Sequence, residues 1–259
     1  MESNVTFFTT FKEIGDATDD IGQRSAVYSW KREKMDTNPI LALGRDKGVK
    51  EFCEKHGFKY IPEVKLACDQ GLETTHPMLR SLIAVAAEHT TTQYMCLINS
   101  DIIVCPKFHP KLGSLLFKNP NPFVVGIRYD INLDRPAVDE PSYKALWQRK
   151  DIKAHRTGGS DYFAFTKKFA LQMLEYMPDY VMGAAAWDNW LHWVALNRSR
   201  TPICTLKNPK ILHPAHTYRQ LGAKVKRSIY EHPAVKHNMG IYKPSKQKAG
   251  ATGGRWKFV

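Results

Sequence analysis

Between Val5 and Val104 the chain alternates short β-branched or aromatic segments with helix-patterned ones, and no other feature limits its possible folds as much. Val5-Thr6-Phe7-Phe8-Thr9-Thr10 has strand composition. Residues 20–34 then place Ile21, Ala26, Val27 and Trp30 at helical spacing, with Asp19 or Asp20 as a cap. Pro39 to Gly44 is a short apolar strand. Gly48 to His56 is a helix with Val49, Phe52 and Cys53 on one face, closed by Gly57. Tyr60 to Val64 is a weaker strand, and Pro77 opens a Leu/Ile/Ala-rich helix through Glu88. Tyr94 to Val104 is the most apolar strand, broken by Asn99-Ser100-Asp101. This order predicts right-handed βαβ crossovers, a mostly parallel central sheet flanked by helices, and ligands at the carboxyl ends of the strands, where Thr9, Thr10, Gly44 and Asp101 fall.

The second half is less regular. Residues 119–141 read as Pro-rich loops, Gly158-Gly159 as a turn, Tyr162–Thr166 as a strand, 167–177 and 187–197 as helices, and Ile203–Leu206 as a last strand. With 43% hydrophobic and 24% charged residues in 259, the chain has a globular balance that excludes wholesale disorder. No apolar run approaches the roughly 18 residues of a membrane helix. The first residues lack the basic-then-apolar pattern of a secretory signal. The five cysteines (Cys53, Cys68, Cys96, Cys105, Cys204) are odd in number and never at Cys-x-x-Cys spacing, which argues against a disulfide framework or zinc knuckle. A cytoplasmic location is expected.

Charge divides the chain. Residues 1–204 carry 26 basic and 24 acidic side chains, whereas residues 205–259 carry 12 basic ones and one acid, Glu231. That +11 segment suits a polyanionic partner, most often nucleic acid, and equally a solubilising tail. Apolar periodicity fades from about residue 222, so a body over 1–221 and a basic, partly mobile extension over 222–259 are expected.

Three constellations could carry chemistry. Asp101 sits inside an apolar run, where a carboxylate is costly unless compensated; a divalent cation at the strand end would do so, and a turn between two shorter strands is the alternative. Asp188, in Trp187-Asp188-Asn189, is either a helix cap or a carboxylate offered to a sugar or hydroxyl as general base or as hydrogen-bond acceptor. His213 and His216, three apart in a loop, can share a metal or be satisfied by water and backbone.

In order, these segments resemble the nucleotide-diphospho-sugar transferases of the GT-A fold. The resemblance rests on Thr9-Thr10 ending the first strand, a Gln/Arg-containing helix ending in Ser29-Trp30, Gly44-Arg45-Asp46-Lys47-Gly48-Val49, Tyr60-Ile61-Pro62-Glu63-Val64, and Leu97 to Ile103, and it spans about residues 5–220. It implies an Asp-x-Asp motif after the fourth strand, with Asn99 in place of the first acid and Asp101 as ligand of Mn²⁺ or Mg²⁺ on a nucleotide-sugar, UDP-glucose or a related UDP-sugar. It implies donor contacts by Thr9, Thr10, Arg24, Asp46, Asn99 and Ser100, and a late histidine, His213 or His216, completing the metal site. Gly159 and Asp161 resemble an acceptor-side loop, and Trp187-Asp188 the acidic position facing the acceptor.

The expected activity is metal-dependent glycosyl transfer to a hydroxyl. Lys224, Lys226 and Arg227, with aromatic residues interleaved, favour DNA as acceptor through the hydroxymethyl group of a modified pyrimidine (5-hydroxymethylcytosine or 5-hydroxymethyluracil), as among bacteriophage and base-J-type enzymes. The rivals are a glycan, lipid or protein acceptor; a sugar nucleotidyltransferase, which the absence of a glycine cluster in Thr9 to Gly15 disfavours; and a non-catalytic nucleic-acid-binding protein.

Overall fold

A computed structural model of the chain describes residues 5–15, 18–119, 121–155, 160–197, 203–215, 230–242 and 256–258. Its elements run β1 (Val5–Thr9), α1 (Thr18–Arg32), β2 (Leu41–Leu43), α2 (Val49–His56), β3 (Lys59–Ile61), α3 (Leu79–His89), β4 (Tyr94–Ile98) and β5 (Ile103–Val104). They continue with α4 (Phe108–Lys118), β6 (Phe123–Ile131), α5 (Glu140–Leu146), β7 (Lys153–Ala154), β8 (Ser160–Thr166), α6 (Lys167–Leu174), α7 (Trp187–Asn197), β9 (Ile203–Pro214), α8 (Pro233–Ile241) and β10 (Trp256–Phe258).

The strands form one sheet in the order β10-β9-β6-β8-β4-β1-β2-β3, with β5 on β9 and β7 on β6. The expected parallel sheet is there in β3, β2, β1 and β4. It is not continuous, because β8 lies antiparallel between β4 and β6, after which β6, β9 and β10 are again parallel. The architecture is mixed α/β, a central sheet flanked by helices.

Alternation along the central strands fills both faces. Tyr94, Cys96 and Ile98 of β4, with Val124, Tyr162 and Ala164, pack under Ala26, Val27 and Trp30 of α1, Phe52 of α2 and Leu112 of α4. Met95 and Leu97, with Phe123, Phe163 and Phe165, pack against Leu82 and Ile83 of α3, Phe169 of α6 and Trp190 of α7. Strands covered on both faces read as continuous apolar runs, which is why β4 stood out in the sequence.

The structure corrects three expectations. The 119–141 stretch is not all loop: it contains the nine-residue β6, and Asp139 then caps α5 by accepting from Ser142 N–H at 2.7 Å. Tyr94 to Val104 is two strands, with Asn99, Ser100 and Asp101 turning between them, since β4 pairs with β1 and β8 whereas β5 pairs with β9. The strand that begins at Ile203 continues past Leu206 to Pro214, so His213 is a strand residue opposite Asp130 of β6.

The expected boundary at 221/222 falls in 216–229, outside the described residues. Beyond it, α8 buries Ala234 and Val235 against Met78, Val181 and Ala184. No described helix is long and apolar enough to cross a membrane.

Candidate active site

The ends of β1, β2, β4, β6 and β9 and the start of β8 meet along one edge of the sheet. In α/β sheets of this kind the carboxyl edge is where backbone groups and loop side chains converge on ligands. Three loops begin here: Thr10 to Gly15 after β1, Gly44 to Gly48 after β2, and Asn99 to Ile102 after β4.

Asp101 is buried at this edge. Its Oδ2 lies 3.5 Å from Lys12 Nζ and 3.8 Å from His213 Nε2. Three elements bring these groups together. Gln23 of α1 holds the Lys12 backbone, accepting from its N–H at 2.8 Å and donating to its carbonyl at 3.4 Å. Gly22, beside it, lets α1 approach: a Cβ there would stand 3.1 Å from Asp101 Cβ and 3.5 Å from Pro214 Cγ. The β6–β9 register sets His213 at the same place.

A second acidic group stands further along the edge. Asn99 N–H donates to Asp161 O at 2.9 Å, and Asn99 Nδ2 donates to Asp161 Oδ1 at 3.0 Å. Arg128 of β6 adds Nη1 at 3.4 Å to the same oxygen and sets its Nε 3.2 Å from Asp130 Oδ1, while Asp130 Oδ2 meets His155 Nδ1 at 2.7 Å. Asp161 Oδ2 is buried with no hydrogen-bond partner among the described residues. Beneath this pair the fully enclosed His192 ring bonds Ser160 Oγ at 3.1 Å, and burial lowers its pKa to about 4.

Asp188 is half-buried in the first turn of α7, where its Oδ1 accepts from Asn189 N–H at 2.9 Å. Burial, and then the charge of Asp161, push its carboxyl up to about 6, against the pull of backbone hydrogen bonds and Arg128. A carboxylate that titrates near neutrality is suited to exchanging a proton with a hydroxyl.

The other expected site residues are placed as follows. Ser100 is buried in the turn with Asp101. Thr9 is buried inside the sheet, its hydroxyl without a hydrogen-bond partner among the described residues, so Thr10, close to Gly44, is the member of that pair at the loop. Arg24 lies against Asp20 at 2.5 Å, one turn earlier on α1. Asp46 follows β2, its carboxyl raised by burial and by Glu13. Trp187 is a packing residue, buried edge-on to Phe163 at 5.4 Å. Gly159, His216, Lys224, Lys226 and Arg227 lie outside the described residues.

Sequence reasoning missed Lys12, Arg128 and the Asp130–His155 pair. Each is an ordinary charged residue in its local context, and only the sheet brings it to the edge.

No protein-family model and no curated protein sequence matches the chain. Solved structures do. GalNAc-T7, in a structure with UDP, GalNAc and Mn²⁺, aligns over 90% of this chain and 47% of its own, with a TM-score of 0.56 at 12% identity. This chain thus spans about half the length of that protein. Glucosyl-3-phosphoglycerate synthase from Mycobacterium tuberculosis, in complex with Mn²⁺, UDP and phosphoglyceric acid, aligns over 92% of this chain and 79% of its own, with a TM-score of 0.53 at 14% identity. The fold is GT-A. A Desulfovibrio desulfuricans protein assigned as a nucleotide-diphospho-sugar transferase aligns over 92% of this chain and 95% of its own, with a TM-score of 0.50 at 12% identity. The likeness is one of fold, and within the GT-A frame Asp101 and Asp188 stand on separate elements of one sheet edge.

The donor set at Asp101 fits a hard divalent cation. It offers a carboxylate oxygen and an imidazole nitrogen within reach of one ion, and Mg²⁺ or Mn²⁺ takes one or two such ligands together with phosphate oxygens and water. Among the described residues no third His, Cys, Asp or Glu joins them. That set leaves coordination positions to a substrate.

Proposed function

We propose that the chain is a metal-dependent glycosyltransferase that moves a sugar from a nucleotide-sugar, a UDP-sugar, to a hydroxyl acceptor. The observation that carries this reading is the separation of two acids along one edge. Asp101 is drawn toward a cation and a histidine, whereas Asp188, raised by burial and then by the charge of Asp161, titrates at about 6. The first arrangement suits a diphosphate with its metal and the second suits a proton acceptor. The GT-A fold supports the same assignment, as do the UDP and Mn²⁺ in the GalNAc-T7 and glucosyl-3-phosphoglycerate synthase structures.

Asp101 and His213 would hold the metal, which when bound neutralises charge on the departing diphosphate. Lys12 adds a positive charge beside Asp101 for the same phosphates. Thr10, Asp46 and Asn99 border the donor side. Asp188 takes the proton of the acceptor hydroxyl as that oxygen bonds to the sugar's anomeric carbon and the bond from that carbon to the diphosphate oxygen breaks. Arg128 and Asn99 hold the Asp161 side chain in place, and Asp161 adds to burial in raising the carboxyl of Asp188.

A second reading concerns the acceptor. The +11 charge of residues 205–259 supports hydroxymethylated pyrimidines in DNA, by charge alone, since Lys224, Lys226 and Arg227 are outside the described residues. Labelled sugar passing to hydroxymethylated but not to unmodified DNA, with binding that weakens steeply between about 50 and 200 mM salt, is the expected result; transfer to neither DNA ends that reading.

The experiment for the activity is a screen of UDP-glucose, UDP-galactose, UDP-N-acetylglucosamine and GDP-mannose, each with Mn²⁺ and with EDTA. Metal-dependent release of nucleoside diphosphate supports glycosyl transfer. Pyrophosphate release from a nucleoside triphosphate and a sugar phosphate, without turnover of any nucleotide-sugar, would make the chain a nucleotidyltransferase instead.

A further inference from the structure

Helix α8 comes from the basic C-terminal segment, yet it is fastened to the loop that leads into α7. Asn238 is fully buried, and its amide makes three hydrogen bonds to that loop. Oδ1 accepts from Val181 N–H at 2.8 Å, and Nδ2 donates to Val181 O at 2.9 Å and to Ala185 O at 2.8 Å. A side-chain amide that meets both backbone groups of one residue and the carbonyl of another four positions on fixes the loop at both ends. Ala234 and Val235 pack on Val181 and Ala184 and seal the same contact.

Between and just beyond the clamped positions the backbone twice adopts left-handed geometry, at Gly183 (φ +78°) and at Ala186 (φ +75°). For alanine that conformation is unfavourable and persists only where its surroundings enforce it. Ala186 O then accepts from Trp190 N–H at 3.2 Å and opens α7, so its geometry sets where the first turn, with Asp188, points. Directly after α8, Tyr242 stands near enough to Asp188 for that charge to add to burial in raising the phenol.

We propose that Asn238 is a positioning residue for Asp188, and that α8 is thereby a working part of the acceptor side and not a passive piece of the tail. This rests on the reading of Asp188 as the acceptor-side acid. The groups that act on Asp188 come from several elements: Asp161 from β8, Arg128 from β6, Tyr242 after α8, and the Asn189 N–H of its own helix. Of these, Tyr242 is tied to Asn238 by a backbone bond, its N–H donating to Asn238 O at 2.8 Å, while Asp161, Arg128 and Asn189 act independently of the Asn238 side chain. What Asn238 controls is the enclosure, since releasing the 181–186 loop admits water to the carboxylate and weakens the largest influence on it, burial. The donor side, built on Asp101, His213 and Lys12, is carried by other elements and stays intact.

The test uses the full chain. In Asn238→Ala and the milder Asn238→Ser, the carboxyl ¹³C titration of Asp188 should move from about 6 toward the ordinary carboxylate range. The acidic limb of the kcat–pH profile should move with it, while thermal stabilisation by UDP with Mn²⁺ is unchanged. A merely structural role would lower stability without moving the titration of a folded variant, and that result overturns the proposal. Amide exchange of the unaltered protein gives a second decision, independent of any variant's folding. The amides of Val181 and Trp190 should open together with those of α8; α8 opening alone, with these two still protected, overturns it as well. Should no nucleotide-sugar be turned over, the functional reading fails while titration and exchange still decide the clamp.

Discussion

Replacing Asp188 by Asn should make the protein more stable and inactive at once. The carboxyl ordinarily titrates at 3.8 and in the fold at about 6, raised first by burial and then by Asp161. Folding therefore favours the protonated form. The stability tied to that proton is fully present below pH 3.8 and is lost as the pH rises through about 6. At about 1.36 kcal/mol for each pKa unit, ionisation at pH 7.5 costs about 3 kcal/mol, and because Asp188 is only half-buried, solvent screening reduces this to about 1–2 kcal/mol. Asn keeps an oxygen for the 2.9 Å bond from Asn189 N–H and carries no charge. In urea unfolding at pH 7.5 the variant should gain about 1–2 kcal/mol at unchanged slope, and the gain should vanish near pH 4. Transfer should fall by about 10²–10⁴, the usual contribution of a general base. A variant less stable than the parent at pH 7.5, or a gain that persists at pH 4, would show that the carboxylate serves the helix as a cap and that its environment does not oppose its charge.

Asp101→Asn should abolish the thermal stabilisation conferred by UDP with Mn²⁺, and His213→Ala should reproduce most of that loss; equal stabilisation of parent and variants would remove the pair from the metal site. His192, with its pKa lowered by burial from 6.5 to about 4, contributes stability that is present above pH 6.5 and is lost as the pH falls toward 4. That loss amounts to about 3 kcal/mol, and His192→Gln should flatten this part of the stability–pH curve. Gly126→Ala would drive a Cβ into the ring of Tyr162, itself fully buried edge-on to Phe108, and should cost about 1–3 kcal/mol in chemical denaturation, with an unchanged midpoint as the contrary result.

What the sequence disclosed depended on whether a residue conflicts with its local surroundings. Helix α2 was legible throughout, down to its buried face of Val49, Phe52 and Cys53 and its left-handed stop at Gly57, because every one of those signals lies within ten residues. Strand β6 was not. It is preceded by prolines and carries Arg128, Tyr129 and Asp130 before its last residue, Ile131, and what makes it a strand is its pairing with β8 and β9, each more than 25 residues away in sequence. The same distinction applies to the site. An acid inside the apolar run Tyr94 to Val104 contradicts its neighbours, so Asp101 drew attention before any fold was known. His213 was legible as a residue type and misplaced as a loop residue, since the β9 pairing that carries it past Lys210 is again long-range. Lys12 and Arg128 contradict nothing around them in sequence. They become informative only when the sheet sets one against Asp101 and the other against Asp161. In a chain of this fold, then, the buried acids can be found by their conflict with an apolar pattern. The cations that answer them must be sought at the other strand ends of the same edge, because the carboxyl of Asp188, raised chiefly by burial, is further adjusted by Asp161 and Arg128, which local sequence does not associate with it.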